Sequence, residues 1–188
     1  MTLTIAIVKE TAPHERRVAA IPETIKKYVA LGCTVKIQEG AGTEASYTDN
    51  MYKDAGATLV SSAADTVRDA DIVLSVQAPD AATLSAMKKG AILAGILSPY
   101  KNEALIKDIA GKGINGFAME LVPRITRAQA MDVLSSQSNL AGYKAVLDAA
   151  ELPASLVATI NDIDSRQSQR TKSYNCSLDP PDHLIKKL

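Results

Sequence analysis

Aromatic residues are scarce in this sequence, which holds one Phe, six Tyr and no Trp among its 188 residues. The core must therefore be built from Ala, Val, Ile and Leu. Such a core suits helices packed on a parallel sheet, whose central strands are buried on both faces. Hydrophobic residues make up 46% of the chain and charged residues 22%, which is the ordinary range for a globular protein.

Cysteine and histidine are also rare, with two residues of each type. Two cysteines make neither a disulfide framework nor a zinc site, and Cys33 lies in an apolar stretch where we expect a buried free thiol. His14 and His183 have no neighbouring pattern of metal ligands. A metal site is therefore not expected.

Neither sign of charge prevails, because Lys plus Arg and Asp plus Glu both total 21. The sequence has no basic stripe that would bind a nucleic acid backbone. No apolar run approaches the roughly 18 to 20 residues of a membrane-spanning helix. The N-terminal stretch has no basic region and no cleavage site typical of a signal peptide. We expect a soluble, cytoplasmic protein with no direct membrane insertion and no nucleic acid partner.

Short β-branched runs alternate with helical patterns along most of the chain. The expected strands are Thr4–Val8, Thr34–Gln38, Ala57–Val60, Asp71–Val76, Ala91–Leu97 and Ile114–Met119. The expected helices are Pro22–Leu31, Asn50–Ala55, Ala63–Asp69, Leu84–Lys89 and Asn102–Ala110. This alternation predicts an α/β fold with a doubly wound, mostly parallel sheet and helices on both faces, Rossmann-like or flavodoxin-like.

A long helix is expected to end this domain. Thr126 and Gln129 have the spacing of a capping box, and the helical pattern continues from there to Ala150. The middle of this segment is rich in small and polar residues, which suits close approach of another backbone or polar contacts. Residues 151–188 are polar and lack a strong period, so we expect a domain over residues 1–150 followed by an atypical, poorly ordered tail.

The turn after the first strand, residues 9–17, contains no glycine. In nucleotide-binding α/β domains, glycines at this turn let the backbone approach a pyrophosphate. The Gly-x-Gly at Gly40-Ala-Gly42 follows the second strand, lacks a third glycine, and favours a plain turn over a phosphate site. We therefore do not expect this domain to bind a dinucleotide in the Rossmann manner.

Two arginines are candidates for ligand binding. Arg17 either points into the cleft at the carboxyl ends of the strands or makes a surface salt bridge with Glu10 or Glu15. Arg124, which follows Pro123, offers a planar fork of donors for an amide, carboxylate or phosphate. Gln129 and Asp132 lie close to Arg124 in sequence and are three residues apart, which places them on one side of the expected helix. Capping of that helix by the same residues is the alternative interpretation.

Residues 5–10, 17–22 and 40–42 resemble the opening of the alanine dehydrogenase/pyridine nucleotide transhydrogenase N-terminal domain. Residues 118–143, which contain Pro-Arg-Ile-Thr-Arg-Ala-Gln-Ala-Met-Asp, closely resemble the signature loop and helix of proton-translocating NAD(P) transhydrogenases. The resemblance covers residues 1–150. It implies a portion of the NAD(H)-binding alpha subunit of an oxidoreductase that transfers hydride between NAD(H) and NADP(H) and couples this transfer to proton translocation.

The resemblance also implies roles for particular residues and partners. NAD(H) is bound mainly by a second, Rossmann domain, and the first domain contributes a loop to the nicotinamide end. The positions that match this loop are Arg124, Gln129, Asp132 and Ser135. Hydride passes directly to NADP(H) on a partner component, so no catalytic residue is implied. Partner subunits that include membrane components, a homodimer, and a peripheral location at the inner membrane are implied as well.

Two other functions compete with this interpretation. An alanine dehydrogenase requires a lysine and a histidine in its first domain, and the corresponding positions hold Gln77 and Ser98. Neutral Gln and Ser cannot supply general acid and base chemistry near pH 7. The family's Rossmann domain does not follow Glu151, so we expect this chain alone to be inactive. A non-catalytic interaction module, which pairs with a separate subunit through residues 135–145, is the second alternative.

Overall fold

The computed structural model describes residues 2–123 and 125–150, so Arg124 and the expected tail at residues 151–188 lie outside the described residues. The chain divides into two compact units, Met1–Val133 and Leu134–Leu188. The strands are β1 (Thr4–Ile7), β2 (Thr34–Gln38), β3 (Thr58–Val60), β4 (Ile72–Gln77), β5 (Ile92–Ile96) and β6 (Asn115–Ala118). The helices are α1 (Pro22–Ala30), α2 (Asp49–Asp54), α3 (Ala63–Val67), α4 (Ala81–Ala86), α5 (Glu103–Gly111) and α6 (Val133–Ala150).

The six strands form one sheet in the order β3-β2-β1-β4-β5-β6, and every described pair of neighbours is parallel. Ile7 of β1 aligns with Ile37 of β2 on one side and with Leu74 of β4 on the other. The direction of winding reverses between β1 and β4. The carboxyl ends of these two strands therefore form the topological switch point of the sheet, where open α/β folds bind ligands.

Both faces of the sheet are buried, as the sequence predicts. Along β1, Ala6 and the following Val8 belong to one hydrophobic cluster, whereas Ile7 belongs to the other. Ile25 of α1 and Tyr52 of α2 pack in the same cluster as Ile7. Helices α3, α4 and α5 contribute Val67, Leu84 and Ile109 to the opposite cluster. The sheet is thus doubly wound, because successive side chains of a strand point to opposite faces.

The Gly40-Ala-Gly42 turn has a packing role. The ring of Tyr52 is completely buried, and its hydroxyl donates a hydrogen bond of 3.0 Å to the carbonyl oxygen of Ala20. A Cβ atom on Gly42 would lie only 2.5 Å from Cε2 of Tyr52. Glycine at position 42 is therefore explained by the ring that packs against it.

Two expectations about local structure are wrong in detail. Helix α4 begins at Ala81, not at Leu84, because the Asp80 carboxylate accepts the backbone N–H of Thr83 at 2.7 Å and caps the helix there. Cys33 has a free thiol but is half-buried, since it lies in the connection between α1 and β2, beside the exposed Gly32. Cys176 lies outside the described residues.

The capping box and the continuous helix from Thr126 are also wrong. Thr126–Met131 is a 3-10 helix whose N-cap is Ile125, and no side-chain hydrogen bond caps it. At Asp132 the backbone is extended, with φ −76° and ψ 93°, and this residue ends the 3-10 helix. The α-helix α6 follows from Val133, and none of its 18 residues is buried.

Candidate functional site

The first turn brings a carboxylate to the switch point. Glu10 follows β1, and its two carboxylate oxygens accept the backbone N–H groups of Val76 at 2.5 Å and of Gln77 at 3.0 Å, at the end of β4. Burial raises the pKa of Glu10, although these two hydrogen bonds act in the opposite direction. Open α/β sheets bind their ligands outside the carboxyl ends of the strands at this switch point. Here the chain's own carboxylate accepts two backbone N–H groups at the end of β4.

Arg17 pairs with Glu15, so of the two carboxylates considered from the sequence the structure selects the second. Its Nε and Nη2 atoms donate to the two Glu15 oxygens at 2.7 and 2.6 Å. The Gln77 side-chain amide donates to the same carboxylate at 3.0 Å. The hydrogen bond from Arg17 is the main cause that lowers the pKa of Glu15 to about 2. The structure therefore shows the salt bridge between Arg17 and Glu15 that the sequence offered as one alternative, with the Glu15 side chain 8% and the Arg17 side chain 41% exposed.

A cavity of about 180 Å³ lies between the ends of β1 and β4. It is lined in part by the carboxylates of Glu10 and Asp80 and by Ser75, whose buried Oγ atom has no hydrogen-bond partner among the described residues. Lys9 also lines the cavity, and the Glu10 and Asp80 carboxylates are both bound to backbone N–H groups.

A second carboxylate, that of Glu120, accepts backbone N–H groups at the end of β5. Glu120 accepts the backbone N–H groups of Leu97, at 3.3 Å, and of Ser98. Ser98 has a positive φ of 48°, a conformation that is uncommon for residues other than glycine. Sequence reasoning missed this role for both Glu10 and Glu120. Their only signal is an acidic residue shortly after a strand, and many exposed residues share that position.

Gln77 and Ser98, the two positions that argue against an alanine dehydrogenase, are bound to neighbouring carboxylates. The Gln77 amide is bound to Glu15, and Ser98 is held through its backbone by Glu120. Neither contact provides a group that gains or loses a proton near neutral pH.

The loop over residues 123–132 contains three of the four residues predicted to contact the nicotinamide, Arg124, Gln129 and Asp132. Gln129 is exposed and Asp132 is half-buried. Ala128 is the one residue of the 3-10 helix Thr126–Met131 that is buried. The backbone N–H of Asp132 donates to the carbonyl oxygen of Gln129 at 3.3 Å, so the structure places these two candidates in one turn. Arg124 lies outside the described residues, and Ser135 is an exposed residue of α6, which lies almost wholly in the second unit.

The described residues offer neither a metal centre nor a membrane span. Within residues 2–123 and 125–150, no group of three or more His, Cys, Asp or Glu side chains could hold a metal ion. Among the helices in the described part of the chain, none has both the length and the hydropathy to cross a membrane.

The all-parallel sheet, its strand order and the switch point between β1 and β4 define an open α/β protein of the Rossmann-like class. Residues 6–141 match the family model described as "Alanine dehydrogenase/PNT, N-terminal domain". The chain belongs to this family, as the sequence resemblance predicts.

Relatives on the transhydrogenase side are the more similar ones. The chain is 48% identical over 151 residues to the first portion of the NAD(P) transhydrogenase alpha subunit of Rhodospirillum rubrum, a match that covers 78% of this chain and 39% of the relative. A transhydrogenase structure from Sinorhizobium meliloti is 49% identical with a TM-score of 0.75, over 78% of this chain and 44% of that one. The alanine dehydrogenase of Methanococcus maripaludis is 30% identical over 76% of this chain and 38% of its own length. The chain thus spans less than half the length of each of these proteins.

Proposed function

We propose that the chain is a portion of the NAD(H)-binding component of a proton-translocating NAD(P) transhydrogenase. The observation that carries this proposal is the 48% identity to a relative named as an NAD(P) transhydrogenase alpha subunit. The family match at residues 6–141 includes the loop over residues 123–132. Because the relatives are more than twice as long, their activity belongs to the whole proteins, and we expect this chain alone to transfer no hydride.

The described domain would contribute to the nicotinamide end of NAD(H) and not to its phosphates. The first turn supports this division, because Glu10 already holds the Val76 and Gln77 N–H groups at the switch point. The pyrophosphate would therefore be bound by a separate Rossmann domain, whose glycines leave backbone N–H groups available.

Arg124, Gln129, Asp132 and Ser135 are the residues that we assign to the nicotinamide end. A nicotinamide carboxamide has one acceptor oxygen and one donor nitrogen, and the exposed Gln129 amide can pair with both. The half-buried Asp132 carboxylate can accept from the carboxamide nitrogen or orient Gln129. The Ser135 hydroxyl can donate or accept, and Arg124 supplies a planar fork of donors.

The same proposal includes partners and a location. Hydride would pass directly from NAD(H) to NADP(H) on another component, so these residues bind and orient the nicotinamide without moving a proton. The domain at residues 1–150 would work in a homodimer with further subunits, including membrane components. It would therefore be cytoplasmic and peripheral to the inner membrane through its partners, without inserting into it.

A hybrid protein tests this assignment. Residues 1–150 of this chain are joined to the segment of the Rhodospirillum rubrum relative that the match does not cover, and NADH binding is followed by dihydronicotinamide fluorescence. The hybrid is then added to membranes of that bacterium from which the relative has been removed, and hydride transfer is followed by absorbance. We expect hydride transfer to be restored.

Gln129→Ala and Asp132→Asn in the hybrid should each weaken NADH binding roughly tenfold, since a ligand hydrogen bond contributes about 1–2 kcal/mol.

Asp54→Asn is the matched control, because Asp54 is an exposed carboxylate on α2, outside the loop. Circular dichroism confirms that each hybrid is folded. A folded hybrid that restores no transfer would contradict the proposed function. Unchanged NADH binding in both loop variants would remove the loop from the nicotinamide site.

A further inference from the structure

The carboxylate of Glu120 joins two segments of the chain at the end of β5. Glu120 is the middle residue of the 3-10 helix Met119–Leu121, which begins where β6 ends at Ala118. Its two oxygens accept the backbone N–H groups of Leu97, at 3.3 Å, and of Ser98, which follow β5 directly. The segment after β6 is therefore bound to the segment after β5 through one half-buried side chain.

The turn after β5 is a fixed partner for this carboxylate. The carbonyl oxygen of Ser98 accepts the backbone N–H groups of Lys101 and Asn102, both at 2.9 Å, while its own N–H donates to Glu120. The positive φ of 48° at Ser98 is a conformation that persists in a non-glycine residue only where the surroundings fix it. Glu120 is thus attached to a well-determined point of the sheet.

The loop over residues 123–132 starts at the third residue after Glu120. Two hydrogen bonds shape its turns: the N–H of Ala128 donates to the carbonyl oxygen of Ile125 at 2.9 Å, and that of Asp132 donates to Gln129 at 3.3 Å. Neither of these bonds joins the loop to the sheet. The buried Ala128 packs the middle of the loop, whereas the position of its start follows from Glu120.

We propose that Glu120 is a positioning residue for the nicotinamide end of NAD(H), because its carboxylate fixes the start of the loop over residues 123–132 at the end of β5. This inference rests on the proposed function, in which the loop carries Gln129 and Asp132. Glu120 acts through the loop and does not itself bind the nicotinamide. A ligand-binding group loses much of its effect when the residues that support it leave it loose, even though the group remains.

The full chain tests whether Glu120 holds the loop. The protein is labelled with ¹⁵N, and NMR follows amide-proton exchange at Leu97 and Ser98 together with the signals of residues 125–132. In Glu120→Gln the side chain keeps its volume, but its NH₂ group cannot accept an N–H. Exchange at Leu97 and Ser98 should accelerate roughly tenfold, and the loop signals should shift.

Glu10→Gln is the matched control. Glu10 also accepts two backbone N–H groups at a strand end, that of β4, but its own segment does not lead into the loop. This variant should leave the signals of residues 125–132 unchanged. Loop changes of equal size in both variants would show that general loss of stability is the cause, and would overturn the proposal.

The hybrid protein tests the consequence for the nicotinamide. Binding of NADH and of ADP-ribose, which lacks the nicotinamide, is measured by calorimetry. Glu120→Gln should weaken NADH binding about as much as Gln129→Ala, roughly tenfold, and leave ADP-ribose binding unchanged. Equal weakening of both ligands would show a structural role alone and would overturn the proposal, as would unchanged NADH binding.

The remaining outcomes also decide the question. A folded Glu120→Gln chain with unchanged loop signals would contradict the tether. If Glu120→Gln does not fold, Glu120→Asp replaces it, because the shorter side chain cannot reach both N–H groups from the same backbone position, and unchanged loop signals would again overturn the proposal. If Gln129→Ala and Asp132→Asn leave NADH binding by the hybrid unchanged, the proposed function of the loop fails, and the nicotinamide role of Glu120 fails with it. The NMR result on the full chain still decides separately whether Glu120 holds the loop.

Discussion

At the scale of single residues, carboxylates accept the backbone N–H groups at the ends of β4 and β5. Glu10 holds two N–H groups that lie 66 and 67 residues further along the chain, and Glu120 holds two at the end of β5. These acids supply acceptors to backbone N–H groups at strand ends that would otherwise be bound by water or a ligand. The local sequence signals this only by an acidic residue shortly after a strand, because each partner is distant along the chain.

Gly42 provides a prediction at the same scale. Gly42→Ala should lower the free energy of unfolding by about 1–3 kcal/mol, because its Cβ atom would overlap the fully buried ring of Tyr52. Urea denaturation measures the change. Gly111→Ala is the control, since a Cβ atom there meets no atom within 4 Å and the residue ends α5. An equal loss in both variants would show that overlap with Tyr52 is not the cause.

At the scale of elements, the order of strands and helices was predictable and some helix ends were not. Alternation of apolar runs predicted all six strands, because parallel strands buried on both faces require them. The first residue of a helix depends on its N-cap, and the pattern of apolar residues does not determine the backbone conformation of that cap. Asp80 caps α4 and extends it to Ala81, whereas the Thr126 and Gln129 spacing does not form the capping box that it suggested.

The Asp80 cap is itself testable. Asp80→Ala should lower the free energy of unfolding by about 1 kcal/mol, because the Thr83 N–H loses its acceptor at 2.7 Å. Asp80→Asn should retain nearly all the stability, since asparagine caps helices about as well as aspartate. Urea unfolding of the two variants and the wild-type protein provides the comparison. If Asn and Ala were equally harmful, the charge of Asp80 and not its capping bond would be responsible.

At the scale of the whole molecule, NADH binding should require more than this chain. We expect no saturable change in dihydronicotinamide fluorescence when the 188-residue protein is titrated with micromolar NADH. The reason is that Glu10 occupies backbone N–H groups at the switch point, and the first turn lacks glycine. The hybrid described above serves as the positive control. Tight binding by the isolated chain would show that the nucleotide site has been misplaced.

The sequence by itself determined the α/β class, the alternation of elements, the buried faces and the family, because these depend on local patterns and on long matching segments. It also named Gln129 and Asp132, which the structure places in one turn. Only the tertiary structure decided that Glu15 and not Glu10 pairs with Arg17, that Glu10 closes the end of β4, and that Gly42 makes room for Tyr52. Each of these depends on which residues folding brings within hydrogen-bond or van der Waals distance, and that is set by the packing of strands and helices and not by spacing along the chain.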